Sequence, residues 1–205
     1  MEQTDSPPSP EASARQANTR DCADMGRLAA GDDAALNDLM ERHAKPVFHF
    51  LCRMLGNEDD ANDLAQETFV RVFRACAGFR TNEKFSTWLY TIAANLARNH
   101  FRWRSRHPNV PLETESGESN QTLGSILPAN DPTPNEQALA AERAAAVRAA
   151  VDRLPADLRE AIILCEWEER SAAEAALILG ATSKAVESRL YRARQILRER
   201  LKSWL

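Results

Sequence analysis

The chain has few of the residues that build metal sites, disulfides or catalytic centres. Its 205 residues include four cysteines, none in a CxxC pair, and four scattered histidines. Cys52, Cys76 and Cys165 lie among apolar residues, which predicts small buried thiols. There is also no nucleophile–base pair and no phosphate-binding glycine loop. We therefore predict no catalytic residues, no metal and no cofactor, and a protein that is not an enzyme.

Long apolar runs are missing as well. No segment approaches the roughly 18 apolar residues that a membrane-spanning helix needs. The start of the chain lacks the basic and apolar segments of a signal peptide. Residues 1–21 are instead rich in Ser, Pro, Gln and Glu, which predicts a disordered tail. We expect a cytoplasmic protein without membrane insertion.

Glycine is scarce, with seven residues, and strand-like alternation of apolar and polar residues is rare. Hydrophobic residues make up 43% of the chain, and Ala, Leu, Arg and Glu are frequent. Prolines cluster with Ser, Asn and acidic residues over positions 106–133, which indicates a linker. We predict an all-α fold with two small helical domains, residues 22–105 and 134–205, joined by this flexible acidic linker.

The last part of the chain has the pattern of a helix–turn–helix. Ser171 and Glu174 have the spacing of a capping box, and Gly180 suits the left-handed residue that ends a short helix. Thr182 then caps a second helix, in which apolar residues recur at helical spacing among many arginines. Such a basic second helix is typical of a recognition helix in the DNA major groove. A cationic surface on an ordinary helical hairpin is the alternative.

The net charge of −4 does not exclude a nucleic-acid partner, because the charges are segregated. Residues 57–67 contain five acids and no base, whereas residues 98–107 contain four arginines and no acid. A polyanion responds to the local potential rather than to the net charge of the whole molecule. The alternation of acidic and basic surfaces is expected of a protein that binds both another protein and DNA.

The helix predicted over Asp60–Phe73 has two distinct faces. Its apolar arc, which we expect to face the core, consists of Ala61, Ala65, Thr68, Phe69 and Val72. The opposite side carries Asp63, Gln66, Glu67, Val70 and Arg74. Spacing alone favours a solvated polar face, whereas the apolar Val70 among carboxylates suggests a binding patch.

The segment Phe85–Arg104 interleaves aromatic residues, asparagines and arginines. Aromatic rings stack on exposed bases, amides contact base edges, and guanidiniums bind phosphate. Trp88 is better explained as a structural residue, since it belongs to a series of apolar residues at helical spacing. The residues that we predict to face DNA are Asn95, Arg98, Asn99 and Arg102.

Several motifs in register resemble the extracytoplasmic-function sigma factors, the small bacterial members of the sigma-70 family. Asp63–Phe73 resembles their region 2 signature. Their later motifs are similar to Phe85–Tyr90, Leu154-Pro155, Leu179-Gly180 and Ser188–Arg194. The resemblance spans nearly all of residues 24–205, in the same order and with a linker in the same place.

The resemblance implies a function in transcription initiation. Region 2 of that family binds the clamp helices of the largest subunit of core RNA polymerase and captures the −10 promoter element as a single strand. The implied clamp contacts are Asp63, Gln66, Glu67 and Val70. Region 4 docks on the polymerase flap and reads the −35 element. The family directs promoter-specific initiation in response to stress or environmental signals, and an anti-sigma factor is an expected partner.

Contacts to the −35 element are expected on the second helix of the helix–turn–helix. The residues assigned to them are Lys184, Glu187, Ser188, Arg189, Tyr191, Arg192 and Arg194. We expect Arg192 to bond a guanine in bidentate fashion, and Arg189 and Arg194 mainly to bind phosphate. Lys184-Ala185 and Glu187 depart from the usual family residues, which predicts an altered −35 preference.

Two other classes of protein match parts of the pattern. An ordinary helix–turn–helix regulator would bind duplex operator DNA without polymerase, but this class leaves Asp63–Phe73 unexplained. A helical interaction protein that binds no DNA would carry its arginines only as surface charge. Promoter-specific initiation on addition of core polymerase separates the three classes.

Overall fold

The computed structural model describes residues 10–80, 83–107 and 134–204, and it confirms the all-α prediction. Within these residues the secondary structure is helical, without strands. The α-helices are α1 (Pro10–Ala29), α2 (Ala34–Leu55), α3 (Glu58–Ala75), α4 (Phe85–Arg106), α5 (Pro134–Asp152), α6 (Ala156–Ile162), α7 (Ala172–Leu179) and α8 (Ser183–Arg200). A π-helical turn, Ile163–Trp167, follows α6. Most of the predicted linker lies outside the described residues.

The start of α1 corrects the prediction of a disordered tail over residues 1–21. From Pro10 onward the chain is helical, whereas residues 1–9 lie outside the described part. Tertiary partners explain the difference. The buried Asp21 carboxylate accepts a hydrogen bond from Arg42 (3.0 Å) and contacts His43 (2.9 Å), both on α2. Composition alone does not reveal such partners, so it underestimated the order of this segment.

Helices α2, α3 and α4 form the core of the N-terminal half. The predicted apolar arc of α3 is buried in full, namely Ala61, Ala65, Thr68, Phe69 and Val72. Gly56, in the left-handed conformation (φ 67°), ends α2. Asn57 caps α3, since its side-chain oxygen accepts a hydrogen bond from the Asp60 amide (2.9 Å). This packing leaves the polar face of α3 outside the core.

The helix–turn–helix is formed by α7 and α8. The capping box is confirmed, because the Glu174 amide donates to Ser171 Oγ (3.2 Å) and the Ser171 amide donates to Glu174 Oε2 (3.0 Å). Gly180 has φ 62° and ends α7, and Thr182 caps α8. The buried residues of α8 are Val186, Leu190 and Ala193. The opposite side of α8 therefore faces solvent.

The cysteines are less buried than predicted. Cys52, Cys76 and Cys165 are half-buried at the edge of the apolar core, and all are free thiols. Burial still raises the pKa of the Cys52 thiol to about 11, so it stays protonated at neutral pH. In the described ranges, none of the helices is long and apolar enough to cross a membrane. In the same ranges, no cluster of three or more His, Cys, Asp or Glu side chains is placed to hold a metal ion.

Candidate polymerase and nucleic-acid interfaces

The polar face of α3 is accessible to a partner. Asp63, Gln66 and Val70 lie on the surface, and Val70 keeps 40% of its accessible area. Glu67 is held by an ion pair with Arg71, one turn further along the helix (Oε1 to Nε 2.8 Å). The structure thus brings together all four residues that were predicted to contact polymerase.

Phe73 extends this face, and the sequence analysis missed it. Its side chain is 43% exposed. Because Val70 and Phe73 are three residues apart, they are neighbours on the helix surface. An exposed apolar pair beside carboxylates suits a protein partner better than it suits water. The signal was present in the sequence, since Phe73 falls outside the apolar arc on a helical wheel.

An open cavity of about 340 Å³ lies between α3 and α4. Its lining residues are Arg71, Arg74, Ala75, Trp88, Ile92 and Asn95. Guanidiniums bind phosphate, an indole stacks on a base, and an amide contacts a base edge, so this lining suits an unpaired nucleotide. Arg71 and Arg74 were not predicted as DNA contacts. Their spacing of three residues near the end of α3 places them on one side of the helix.

Trp88 belongs both to the cavity and to the core. Its ring contacts the rings of Phe79 (centroids 5.2 Å apart) and Phe85 (6.2 Å), and it is half-buried. This packing agrees with the structural role predicted for Trp88. The indole is therefore held in a fixed position at the wall of the cavity.

The four predicted −10 residues of α4 are in different environments. Asn95, Asn99 and Arg102 are exposed. Arg98 is half-buried, and it donates to the Asn95 side-chain oxygen (2.8 Å) and to the backbone carbonyl of Ile178 at the end of α7 (3.2 Å). In this conformation Arg98 is directed at the C-terminal helices rather than at solvent.

Further contacts join the N-terminal helices to the C-terminal ones. Arg159 on α6 donates to the Met54 carbonyl at the end of α2 (3.2 Å) and lies over the ring of Phe101 (5.9 Å). Lys84, just before α4, donates to Glu174 on α7 (2.6 Å). The two halves of the chain meet along α4 and the end of α2.

The outer side of α8 carries the residues predicted to read the −35 element. The exposed members of that set are Lys184, Glu187, Ser188, Tyr191, Arg192 and Arg194, with Tyr191 keeping 65% of its accessible area. Arg189 is half-buried and lies 3.7 Å from Asp157. Arg194 pairs with Glu166 (2.5 Å). The two arginines assigned to phosphate are thus the ones that already have acidic neighbours.

Two family models match separate parts of the chain. The family model described as Sigma-70 region 2 matches residues 39–107, and the one described as Sigma-70, region 4 matches residues 144–197. The ECF RNA polymerase sigma factor SigW of Bacillus subtilis is 33% identical over 177 residues, covering 86% of this chain and 94% of SigW. The ECF RNA polymerase sigma-E factor of Escherichia coli is 34% identical, covering 83% of this chain and 88% of its own length.

The ECF RNA polymerase sigma factor SigE of Mycolicibacterium smegmatis is 36% identical over 84% of this chain, which spans 65% of that protein. Two solved structures share the fold. CnrH in complex with the cytosolic domain of CnrY aligns with a TM-score of 0.65 at 27% identity, over 90% of this chain and 98% of CnrH. The sigma factor RpoE of Bartonella quintana in complex with the anti-sigma factor NepR aligns with a TM-score of 0.61 at 27% identity, over 81% and 96% of the two chains. The chain belongs to the extracytoplasmic-function (ECF) sigma factors of the sigma-70 family.

Proposed function

We propose that this sigma factor binds core polymerase through the polar face of α3 and recognises promoters through two separate DNA surfaces. The observation that carries the proposal is the presence of both surfaces on one chain. The cavity between α3 and α4 suits an unpaired nucleotide, whereas the outer side of α8 suits a duplex groove. A regulator that binds only duplex operator DNA needs only a surface such as the outer side of α8. We assign α1–α4 to region 2 and α5–α8 to region 4.

The polymerase contact is proposed at Asp63, Gln66, Glu67 and Val70, with Phe73 added. Carboxylates around an apolar centre fit a partner surface that is basic at its rim and apolar in its middle. The clamp helices of the largest subunit are the proposed partner, by family resemblance. The flap is proposed as the contact of region 4.

The −10 element is proposed to bind at the cavity and along the adjoining exposed side of α4. In this arrangement Trp88 stacks on an extruded base, and Asn95 and Asn99 contact base edges. Arg71 and Arg74 bind the phosphates next to that base. Arg98 and Arg102 would extend the phosphate track along α4.

The −35 element is proposed to bind the exposed side of α8. Ser188 and Arg192 are four residues apart, as are Glu187 and Tyr191, so the two pairs lie side by side on the helix. Glu187 accepts a hydrogen bond from a cytosine amino group at this position, whereas it repels phosphate. This preference distinguishes the promoter from those read by a basic residue.

An anti-sigma factor is the proposed regulatory partner, and the cytoplasm is the proposed site of action. The Bartonella quintana relative was solved in complex with an anti-sigma factor. The exposed Val70 and Phe73 offer an apolar surface for such a protein, in competition with polymerase. We also propose that the protein acts as a specificity factor and has no catalytic activity of its own.

Transcription with purified core polymerase tests the proposal. Core polymerase plus the chain should initiate at specific sites in a bacterial promoter library, whereas core alone should not. Asn99→Ala should reduce permanganate reactivity of the opened −10 region more than it reduces closed-complex binding, because base edges are exposed only after melting. Gln16→Ala removes an exposed amide on α1 and is the matched control. Equal losses in closed and open complexes would count against a base contact.

A further inference from the structure

Two arginines mark the borders of the exposed face of α8. The buried stripe of this helix consists of Val186, Leu190 and Ala193. Arg189 and Arg194 are separated by about 140° around the helix, so they flank the stripe on opposite sides. A recognition helix in the major groove turns its exposed face to the bases and its two borders toward the phosphate backbones. These positions suit the phosphate contacts expected of both arginines.

Each of these border arginines lies beside an acid from the segment that supports α8. Glu166, in the π-helical turn, accepts hydrogen bonds on Oε1 from Arg194 Nε (3.1 Å) and Nη2 (2.5 Å). Asp157, in the first turn of α6, lies 3.7 Å from Arg189 (Oδ2 to Nε), a looser contact. Arg192, which is expected to bond a base, instead donates to a backbone carbonyl one turn earlier on its own helix (3.4 Å). Arg194 is therefore the arginine that an acid holds most firmly on this surface.

The pair with Glu166 fixes the direction of the Arg194 guanidinium and still leaves it able to bind DNA. A guanidinium has five N–H donors, and Glu166 takes one on Nε and one on Nη2. The donors that this pair does not use include both on Nη1, which suit a phosphate oxygen. Glu166 keeps 43% of its side-chain area and Arg194 keeps 60%, so the ion pair adds little to the stability of the fold. Its main effect is on the direction in which the guanidinium points.

We infer that Glu166 is a specificity-determining residue for −35 recognition, because it restrains Arg194. The restrained guanidinium reaches a phosphate only when α8 is fully seated in the groove, and full seating requires matching bases at its exposed face. An unrestrained arginine would follow the phosphates of any duplex and add affinity that does not depend on sequence. Specificity is a difference between two affinities, so a weaker complex with the wrong sequence increases it. The inference rests on the proposed −35 function of α8.

Glu166→Ala tests the restraint in holoenzyme made from the full chain and core polymerase. The selected duplex carries the −35 element that wild-type holoenzyme selects from a randomised pool, and the scrambled duplex differs from it only in that element. Affinity for the scrambled duplex should rise roughly fivefold, the gain from about one further phosphate contact, and its salt dependence should steepen by about one ion. Affinity for the selected duplex should change by less than about twofold, because Arg194 already binds its phosphate there. The ratio of the two affinities should therefore fall.

Three further proteins show whether Glu166 acts through Arg194. Glu142→Ala removes an exposed carboxylate from α5 and is the matched control, so both affinities should stay at the wild-type values. Arg194→Ala should weaken binding to the selected duplex. Adding Glu166→Ala to Arg194→Ala should change neither affinity further, because the arginine that Glu166 restrains is gone. Far-UV circular dichroism checks that every variant keeps the helical fold.

Each outcome decides the inference. A wild-type ratio of affinities in folded Glu166→Ala overturns the restraint but leaves the proposed −35 function standing. A gain in affinity that persists when Arg194→Ala is also present overturns it too, because Glu166 would then repel DNA directly. If wild-type holoenzyme selects no −35 element, or if Arg194→Ala binds the selected duplex as tightly as the wild type does, the inference and the proposed phosphate contact fail together.

Discussion

At the scale of single residues, Glu67 and Arg71 connect two proposed surfaces of α3. Glu67 lies on the face proposed for polymerase, and Arg71 lines the cavity proposed for DNA. Their side chains are paired at 2.8 Å. A partner that takes the Glu67 carboxylate therefore frees the Arg71 guanidinium for a phosphate. Polymerase binding and strand capture would then support each other through one ion pair.

Charge reversal of the α3 face should abolish association with core polymerase. Asp63→Lys with Glu67→Lys places two cations opposite a partner surface that is proposed to be complementary to two anions. The resulting repulsion should cost about 3 kcal/mol or more of binding free energy. Both residues lie outside the buried arc, so the helical circular dichroism spectrum should not change. A pull-down with core polymerase measures the effect. Glu41→Lys with Glu83→Lys makes the same change of charge at exposed sites outside α3 and should bind normally. Wild-type binding by the α3 variant would refute the assignment.

Substitutions at Arg192 and Arg194 should distinguish base recognition from phosphate binding. Arg192→Ala should relax the preference at one −35 base pair, by roughly 1–3 kcal/mol, because a bidentate bond to guanine is lost. Arg194→Ala should weaken binding to all promoters alike and lower the salt dependence by about one phosphate contact. Selection from randomised −35 sequences measures the first effect, and salt titration measures the second. A preferred motif that is the same in wild type and Arg192→Ala would reject this division.

At the scale of elements, the first turn of α7 links the helix–turn–helix to the start of α4. Partial burial opposes ionisation of Glu174, but hydrogen bonds from Lys84 and Ser171 outweigh it and lower the pKa of the carboxyl to about 2. Because the pKa is lowered, the ionised Glu174 carboxylate stabilises the fold at pH values above 4.5, the ordinary pKa of a glutamate. This contribution is lost as the pH falls toward 2. Glu160 and Glu168 act in the opposite sense. Their pKa values are raised, so they disfavour the fold at neutral pH and cease to do so as they become protonated.

Glu174→Gln should therefore flatten the acid limb of the stability profile. Urea unfolding at a series of pH values from about 5 to 2 should show a smaller loss of stability than in the wild type, because the variant no longer has the carboxyl group with the lowered pKa. Glu199→Gln, at an exposed position of α8, is the matched substitution. If the free energy of unfolding changes with pH equally in the two variants, Glu174 is not responsible for this part of the acid sensitivity.

Local patterns in the sequence were sufficient where the fold depends on neighbours along the chain. The apolar arc of α3, the Ser171 capping box and the Gly180 turn all follow from spacings of three or four residues. The order of α1 was missed because it depends on partners far away in sequence. The cavity was missed for the same reason, since Arg74 and Asn95 belong to different helices and meet only after folding.

At the scale of the whole molecule, the two surfaces proposed to bind DNA are unequally available. The outer side of α8 is exposed, whereas one row of α4 is covered by the C-terminal helices. Sequence reasoning could not anticipate this, because Glu160 and Arg98 are 62 positions apart and each resembles an ordinary surface charge. Only tertiary packing brings the two side chains together and buries Glu160.

The contact between α1 and the start of α4 has a consequence for the lifetime of the protein in the cell. The Asn18 side-chain oxygen accepts a hydrogen bond from the Phe85 amide (3.0 Å), so the first turn of α4 is completed by the N-terminal helix. A protease that cut just after Arg20 would remove that acceptor without touching any residue proposed to contact polymerase or promoter. The shortened chain would keep its complete set of recognition residues on a loosened α4, and degradation could begin at the helix that is proposed to read the opened promoter.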